Sequence, residues 1–325
     1  MMGILGMWTA DLQDLSVFTG GAIYGLGDIS STQKRTGSYS FRCSANSTGF
    51  QVGFPLTATG YARFCFFTTN ASDLAVVSSS NDHFYVRVSP SIMYLDLGSI
   101  NNVVTQAAVS ASINMWHTLE IYWIIAQSGG EIRVKLDGTT VLTWLDKDTY
   151  YTGAVGVASL SCWQYIFNSY IYWDDIIVRD DQWPGRGGIY VLTPNAGSTN
   201  EGWTASAGDP ETCVDELPPV FTDYLSTDCT VDGTEHTVNV TDLAATPWNI
   251  RGVGVVAKTK ATASTDAFAR TLLQTGATKT EGATMGIETT GNWVNSYYAL
   301  NPADSAVFEA ADITNIEVGI ESVVV

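Results

Sequence analysis

The chain reads as an all-β protein of two sandwich domains, and three observations carry that reading. Apolar and polar residues alternate with a period of two, turn signals punctuate the alternating runs, and convincing helical periodicity is absent from the first half. Composition agrees: of 325 residues 45% are hydrophobic and 11% aromatic, yet only 15% are charged. Such a surface rests on Ser, Thr, Asn and Gly, which suits β-structure better than helical bundles built on Glu, Lys and Ala. The length fits one large domain followed by a smaller one.

Strands are expected first at Ser38–Cys43 and Arg63–Thr68. In Phe84-Tyr85-Val86-Arg87-Val88 the apolar residues take one face, and Tyr85 and Arg87 the other. After Trp116, the residues Leu119, Ile121, Trp123 and Ile125 point inward, with Thr118 and Glu120 outward. Ile132, Val134 and Leu136 alternate with Glu131, Arg133 and Lys135. That run enters Asp137-Gly138, a strong hairpin signal, and continues through Thr140–Trp144. Gly153–Ser159 and Ile171–Val178 complete the half.

The Pro-, Gly- and charge-rich segment Asp180–Gly188 marks a boundary, giving domains over 1–182 and 183–325, with Trp183-Pro184 packing the two together. A short strand is expected at Gly188–Leu192. The long polar stretch Asn195–Pro219 then reads as a functional loop or an arm laid on a neighbour. Strands resume at His236–Val240, Gly252–Lys258, Arg270–Gln274 and Ile316–Ile320, with a helical turn near Pro302–Ala306 or Glu309–Asp312. This second half is a smaller β-sandwich, and an immunoglobulin-like arrangement is one option that the unread strand order leaves open.

The net charge of −18 divides unevenly, −6 over residues 1–182 and −12 over 183–325. Phosphate backbones repel such a chain, so nucleic acid is not an expected partner. Long apolar runs are absent and the N-terminal residues do not resemble a signal peptide, so neither membrane insertion nor secretion is expected. The five cysteines, Cys43, Cys65, Cys162, Cys213 and Cys229, include no Cys-x-x-Cys pair. The first three sit in apolar runs and read as reduced core residues. Cys213 and Cys229, in more polar segments, could pair.

Several segments resemble a known family. Trp116-His117-Thr118-Leu119-Glu120, Gly130-Glu131-Ile132-Arg133-Val134 with Asp137-Gly138, the closing Tyr172-Trp173-Asp174-Asp175-Ile176-Ile177-Val178 and the early Lys34-Arg35-Thr36-Gly37-Ser38-Tyr39 are similar to the strands of concanavalin A-like, laminin-G-like lectin domains. Over about residues 1–180 the resemblance implies a jelly roll, a fold that hosts lectins, hydrolases and structural modules alike. Further on, Tyr190–Asn195, Trp203–Gly208 and Val214–Pro219 resemble a segment of phage and prophage structural proteins. This implies a non-catalytic bacteriophage virion protein, assembled in the host cytoplasm and displayed as a capsid decoration or with the tail or fibre. Its partners would be other capsid or tail subunits and its own copies, a trimer being the candidate state. The alternative is a lectin that recognises a host surface glycan. A glycan-cleaving enzyme is the third reading.

Glucanases of this fold need two carboxyls about 5–5.5 Å apart for retaining chemistry. No Glu-x-Asp-x-x-Glu pattern occurs, and Asp174 and Asp175, adjacent on a strand, should face opposite sides. None of the three histidines, His83, His117 and His236, sits in a triad-like arrangement. Sugar binding would use flat aromatic faces, and Trp144, Tyr150, Tyr151, Trp163 and Tyr165 lie in or beside loop-like segments. No cofactor is expected from the residues themselves. Calcium is the option that the resemblance leaves, with Asp82, Asp96, Asp146 and Asp148 as candidate ligands that no spacing singles out.

Overall fold

The computed structural model describes residues 3–13, 22–24, 27–44, 48–72, 74–151, 153–165, 170–219, 221–243, 249–263 and 267–324. The protein is nearly all β and divides into two compact units, Met1–Ile189 and Tyr190–Val325. No helix among the described residues is long and apolar enough to cross a membrane.

The first unit holds β1 (Ile4–Trp8), β2 (Ala22–Tyr24), β3 (Asp28–Ser30), β4 (Ser40–Cys43), β5 (Gly49–Thr57), β6 (Thr59–Thr68), β7 (Ala75–Ser79), β8 (Tyr85–Val88), β9 (Ile92–Asp96), β10 (Val103–Ala108), β11 (Trp116–Ile124), β12 (Gly130–Leu136), β13 (Thr139–Lys147), β14 (Val157–Gln164) and β15 (Ile171–Arg179). They form two antiparallel sheets. An eight-stranded one runs β13-β12-β11-β6-β15-β4-β3 with β1 also on β15, and a seven-stranded one runs β10-β9-β8-β7-β14-β5-β2. Asp137 and Gly138 take φ of 51° and 85°, the double left-handed turn that a two-residue hairpin needs, and lock Leu136 opposite Thr139. Register follows the alternation: Leu119, Ile121 and Trp123 lie across from Leu136, Val134 and Ile132, all of them buried.

Aromatic rings join the sheets. Phe50 of the seven-stranded sheet lies 4.6 Å from Phe41, 5.7 Å from Trp8 and 6.4 Å from Trp173, all of the eight-stranded sheet. Trp123 lies 6.2 Å from Phe54 and 6.1 Å from Phe84 across the same gap. Each such ring buries enough apolar surface to stabilise the fold by about 1.5–3 kcal/mol.

Strand β15 is buried along its whole length, on both faces. Its inner face meets the core, and its outer side is covered by Trp183–Ile189, which folds back as a strap. The Trp183 ring lies 5.5 Å from Tyr61 and 6.0 Å from Tyr122, with Lys135 Nζ 3.7 Å from its centroid. Gly185 donates its N–H to Glu120 (2.7 Å) and accepts from Arg63 (3.2 Å), while Ile189 donates to Asp175 Oδ1 at 2.9 Å. Trp183 therefore packs within the first unit, which runs to Ile189.

The second unit contains β16 (Pro194–Glu201), β17 (Thr204–Ala205), β18 (Leu225–Ser226), β19 (Thr234–Val240), β20 (Val253–Thr259), β21 (Phe268–Thr275), β22 (Thr278–Glu281), β23 (Met285–Gly286), β24 (Asn292–Tyr298), α1 (Ala310–Thr314) and β25 (Ile316–Val323). The main sheet runs β16-β19-β25-β21-β22, with β23 on β21, and two-stranded pairs β17-β18 and β20-β24 accompany it. Val240, Val255, Leu273, Phe308, Ile313 and Ile316 form its core. The short helix starts where Asp312 accepts the Glu309 N–H at 2.7 Å, the reciprocal cap of a helix start.

Several expectations are corrected. Gly188–Leu192 is not a strand. The edge strand is Pro194–Glu201, so the start of the stretch Asn195–Pro219 is folded into the sheet, followed by a 3-10 turn at Pro210–Cys213. The strand placed at Gly153–Ser159 begins only at Val157 and runs to Gln164. Cys213 and Cys229 are both free, as are Cys43, Cys65 and Cys162. Burial pushes the Cys65 thiol up to about 11, which keeps it protonated and inert.

Candidate functional site

Strand alternation gives each sheet of the first unit an inner and an outer face, and the outer face of the seven-stranded sheet gathers unusual chemistry. Cross-strand partners share a face. Reading across β14, β7, β8, β9 and β10, one row is Trp163, Val76, Arg87, Tyr94 and Gln106. The row beside it is Ser161, Ser78, Tyr85, Asp96 and Val103, flanked by Gln51 of β5. Trp163 and Tyr94 are separated by three strand spacings, about 14 Å at ~4.8 Å each. Both rings are half-buried, so each rests on the sheet and keeps part of its surface accessible.

Polar contacts fix this face. Arg87 and Asp96, outward by register but covered, form a two-pronged pair, Nε to Oδ2 at 2.6 Å and Nη2 to Oδ1 at 2.9 Å. The guanidinium lies 4.7 Å from the Tyr94 centroid and also donates to Asn101 Oδ1 at 3.1 Å. Asn101 donates in turn to the Tyr165 hydroxyl at 3.2 Å. Tyr165 meets Trp163 edge-on at 5.8 Å, and the Trp163 indole N–H donates to Ser78 at 3.3 Å. A continuous chain, Asp96–Arg87–Asn101–Tyr165–Trp163, thus crosses the sheet and holds its rings in place. The guanidinium charge is cancelled by its own carboxylate.

One end of the face is closed by loops. Gly98 has φ of 76°, and its N–H donates to the Asp82 carbonyl at 2.9 Å. A Cβ there would lie 2.2 Å from Cε2 of Tyr151, so the Tyr151 ring lies directly against this glycine. The Tyr151 N–H donates to His83 Nδ1 at 3.2 Å, although Tyr151 itself is 55% exposed. Burial holds the His83 imidazole below its ordinary value, which keeps that nitrogen free to accept. Tyr85 donates its hydroxyl to Asp82, and burial together with that contact raises its pKa.

The sequence-derived residues sort clearly. Trp163 and Tyr165 lie on the face, and Tyr151 is at its end. Tyr150 stands beside it, 6.2 Å from His83 and with its N–H on Asp148 at 2.9 Å. Trp144 does not belong. It lies opposite Ile132 and shares the inward side of Leu142, with its indole nitrogen buried. Of the calcium candidates, Asp96 is consumed by Arg87 and lies on a strand, Asp82 holds Tyr85, Asp148 caps its own turn, and Asp146 is exposed on β13. Among the described residues no group of three or more His, Cys, Asp or Glu side chains is disposed to hold a metal. The sequence reading missed Tyr94, whose position between Met93 and Leu95 on an alternating strand was the available signal.

Asp174 and Asp175 also depart from expectation. A register shift after Asp174 and a left-handed Asp175, φ 52°, bring both carboxyls to Arg35–Thr36. Asp174 accepts from the N–H groups of Ala10 (3.3 Å), Arg35 and Thr36 (both 3.4 Å) and from Thr9 Oγ1 (3.1 Å), while Asp175 takes Thr36 Oγ1 at 2.7 Å and an ion pair with Arg35. Both are fully buried. Burial and the neighbouring Asp175 push the Asp174 carboxyl up to about 7. This pair braces the fold and does not open to a substrate.

No protein family matches the chain, and no curated protein does. Solved structures do. A cellulose-induced protein, Cip1, is 11% identical over 57% of this chain and 94% of its own, with a TM-score of 0.40. Domain 4 of AbnA, a GH43 extracellular arabinanase from Geobacillus stearothermophilus solved with arabinotriose, is 12% identical over 55% of this chain and 94% of its own, at 0.39. A carbohydrate esterase of the Shiga toxin-encoding bacteriophage phi24B is 16% identical over 56% of this chain and 100% of its own, at 0.40. At such identities those activities belong to those proteins, and the function of this chain rests on its own residues.

Proposed function

We propose that the first unit is a non-catalytic carbohydrate-binding module of lectin type, and that its binding face is the outer side of the seven-stranded sheet. The observation that carries this reading is the cross-strand row holding Trp163 and Tyr94, with Arg87 braced between them. Sugar rings present flat apolar faces ringed by hydroxyls. Flat aromatic surfaces with fixed amides and hydroxyls close by are the matching chemistry. Face charge is the self-neutralised Arg87–Asp96 pair together with the Asp82 carboxylate that Tyr85 holds, so a neutral glycan fits better than an acidic one. Non-catalysis is supported by the burial of Asp174 and Asp175, whose oxygens are committed to the chain itself.

A glycan array followed by titration of the best binder tests the proposal. Trp163→Ala and Tyr94→Ala should each weaken binding at least fivefold, since one ring contributes about 1 kcal/mol beyond its buried area. Full affinity in both variants, or turnover of the glycan by the pure protein, would overturn it. The resemblance of Tyr190–Asn195, Trp203–Gly208 and Val214–Pro219 to phage structural segments supports a further part of the proposal, display of this module on a virion. Fixed-stoichiometry co-purification with capsid or tail subunits is the expected result, and absence from purified particles the contrary one.

A further inference from the structure

The second unit contains a buried histidine that the proposed function does not use. His236 of β19 is 1% exposed, and among the described residues neither ring nitrogen has a hydrogen-bond partner. Its cross-strand neighbours are Glu201 on β16 and Ile320 on β25, beyond which lies Thr271 of β21. Cross-strand pairing places Glu201 on the same face as the imidazole. Glu211, from the 3-10 turn after β16, joins it: a Cβ on Gly197 would lie 3.1 Å from Glu201 Oε1 and 3.4 Å from Glu211 Oε2. These two carboxylates are the charged groups acting on His236. The further cross-strand neighbours on that face, Ile320 and Thr271, are apolar and hydroxyl. The three side chains are not gathered as a metal centre.

An unpartnered imidazole in such a place is tolerated only while neutral. Protonation puts a cation where the apolar surroundings cost more than Glu201 and Glu211 return. We propose that His236 is an acid-sensitive release for the edge of the second unit, so that mild acid loosens β16 and the 3-10 turn from β19.

The signs follow from linkage. Burial holds the imidazole below the ordinary 6.5, so the unfolded or detached form binds the proton better. Stability is therefore intact above that value and falls as pH drops through it, by up to tenfold in the folding equilibrium per pH unit. Removing a carboxylate depresses the imidazole further and should enlarge the loss.

The test is the acid unfolding of the full chain, followed by resonances of β16 and β19 and by the His236 ring signal, one of three histidine signals. In the wild type, the His236 ring should take its proton only as those strands lose their native resonances. His236→Phe should move the acid transition of β16 and β19 to lower pH by about one unit, and Glu201→Gln should move it to higher pH. A ring that titrates near 6.5 with both strands intact would overturn the proposal, and so would an acid midpoint identical in wild type and His236→Phe. If His236→Phe fails to fold, Glu201→Gln decides alone, and an unchanged or lowered midpoint there counts against the release.

Discussion

Arg87 and Asp96 show how much single side chains matter to the outer face of the seven-stranded sheet. Each is outward by register yet covered, and each satisfies the other through two hydrogen bonds. Replacing Asp96 with Ala strands a buried guanidinium, an event that costs about 3–5 kcal/mol. Chemical denaturation of Asp96→Ala should show that loss, together with weakened glycan binding because Tyr94 loses its braced neighbour. Gly98 is the second such position. Alanine there must adopt φ of 76° and drive its Cβ into Tyr151. Gly98→Ala should therefore lower stability by roughly 1 kcal/mol or more and increase the mobility of the Tyr151 ring, read by its NMR line shape. Much of this was legible in sequence: the outward Tyr85 and Arg87 followed from alternation, and Trp163, Tyr165 and Tyr151 from their aromatic character near loops. Tyr94 escaped because it sits inside a strand, away from any loop signal. Trp144 misled because an aromatic next to a turn can equally face inward from an edge strand.

At the scale of elements, the strap Trp183–Ile189 explains why the first unit does not end where composition changes. Pro, Gly and charge mark a departure from strand structure, but not where the departing chain lies down. Here it lies over Tyr61, Tyr122, Glu120 and Asp175. A fragment ending at Ile189 should accordingly melt at a higher temperature than one ending at Gln182, and equal melting temperatures would deny the strap a stabilising role. The hairpins were legible because Asp-Gly imposes both length and register. Strand β16 was not, because Pro194-Asn195-Ala196-Gly197-Ser198-Thr199 has none of the apolar alternation that signals a strand. Its place comes from edge pairing with β19, a tertiary effect that overrides weak local preference. Asp175 escaped similarly, since a bulge reverses the alternation rule that assigned it to the opposite side.

Across the whole molecule, Asp174 of the first unit and His236 of the second should answer pH in opposite directions. In the first, Asp174 sits near 7, far above its ordinary 3.8, because of burial and the adjacent Asp175. Its folded form holds the proton to higher pH than the unfolded chain does, so, against the loss that the depressed His83 brings to the same unit, Asp174 contributes stability that grows as pH falls. His117 adds to this: the hydrogen bond to Asp137 raises its pKa, giving stability that is present below 6.5 and lost as pH rises through the raised value. Asp174→Asn should flatten the dependence of the first unit between pH 5 and 8 in denaturant titrations. The central claim, that a glycan lies across the outer face of the seven-stranded sheet, is tested most directly by two-dimensional NMR of the full chain titrated with the best-binding oligosaccharide. The account predicts saturable shifts concentrated on the Trp163 indole N–H, the Asn101 amide and the backbone of β9 and β14. Shifts centred instead on Trp116 and Tyr61 of the other sheet, and on Trp183 of the strap over it, would contradict it.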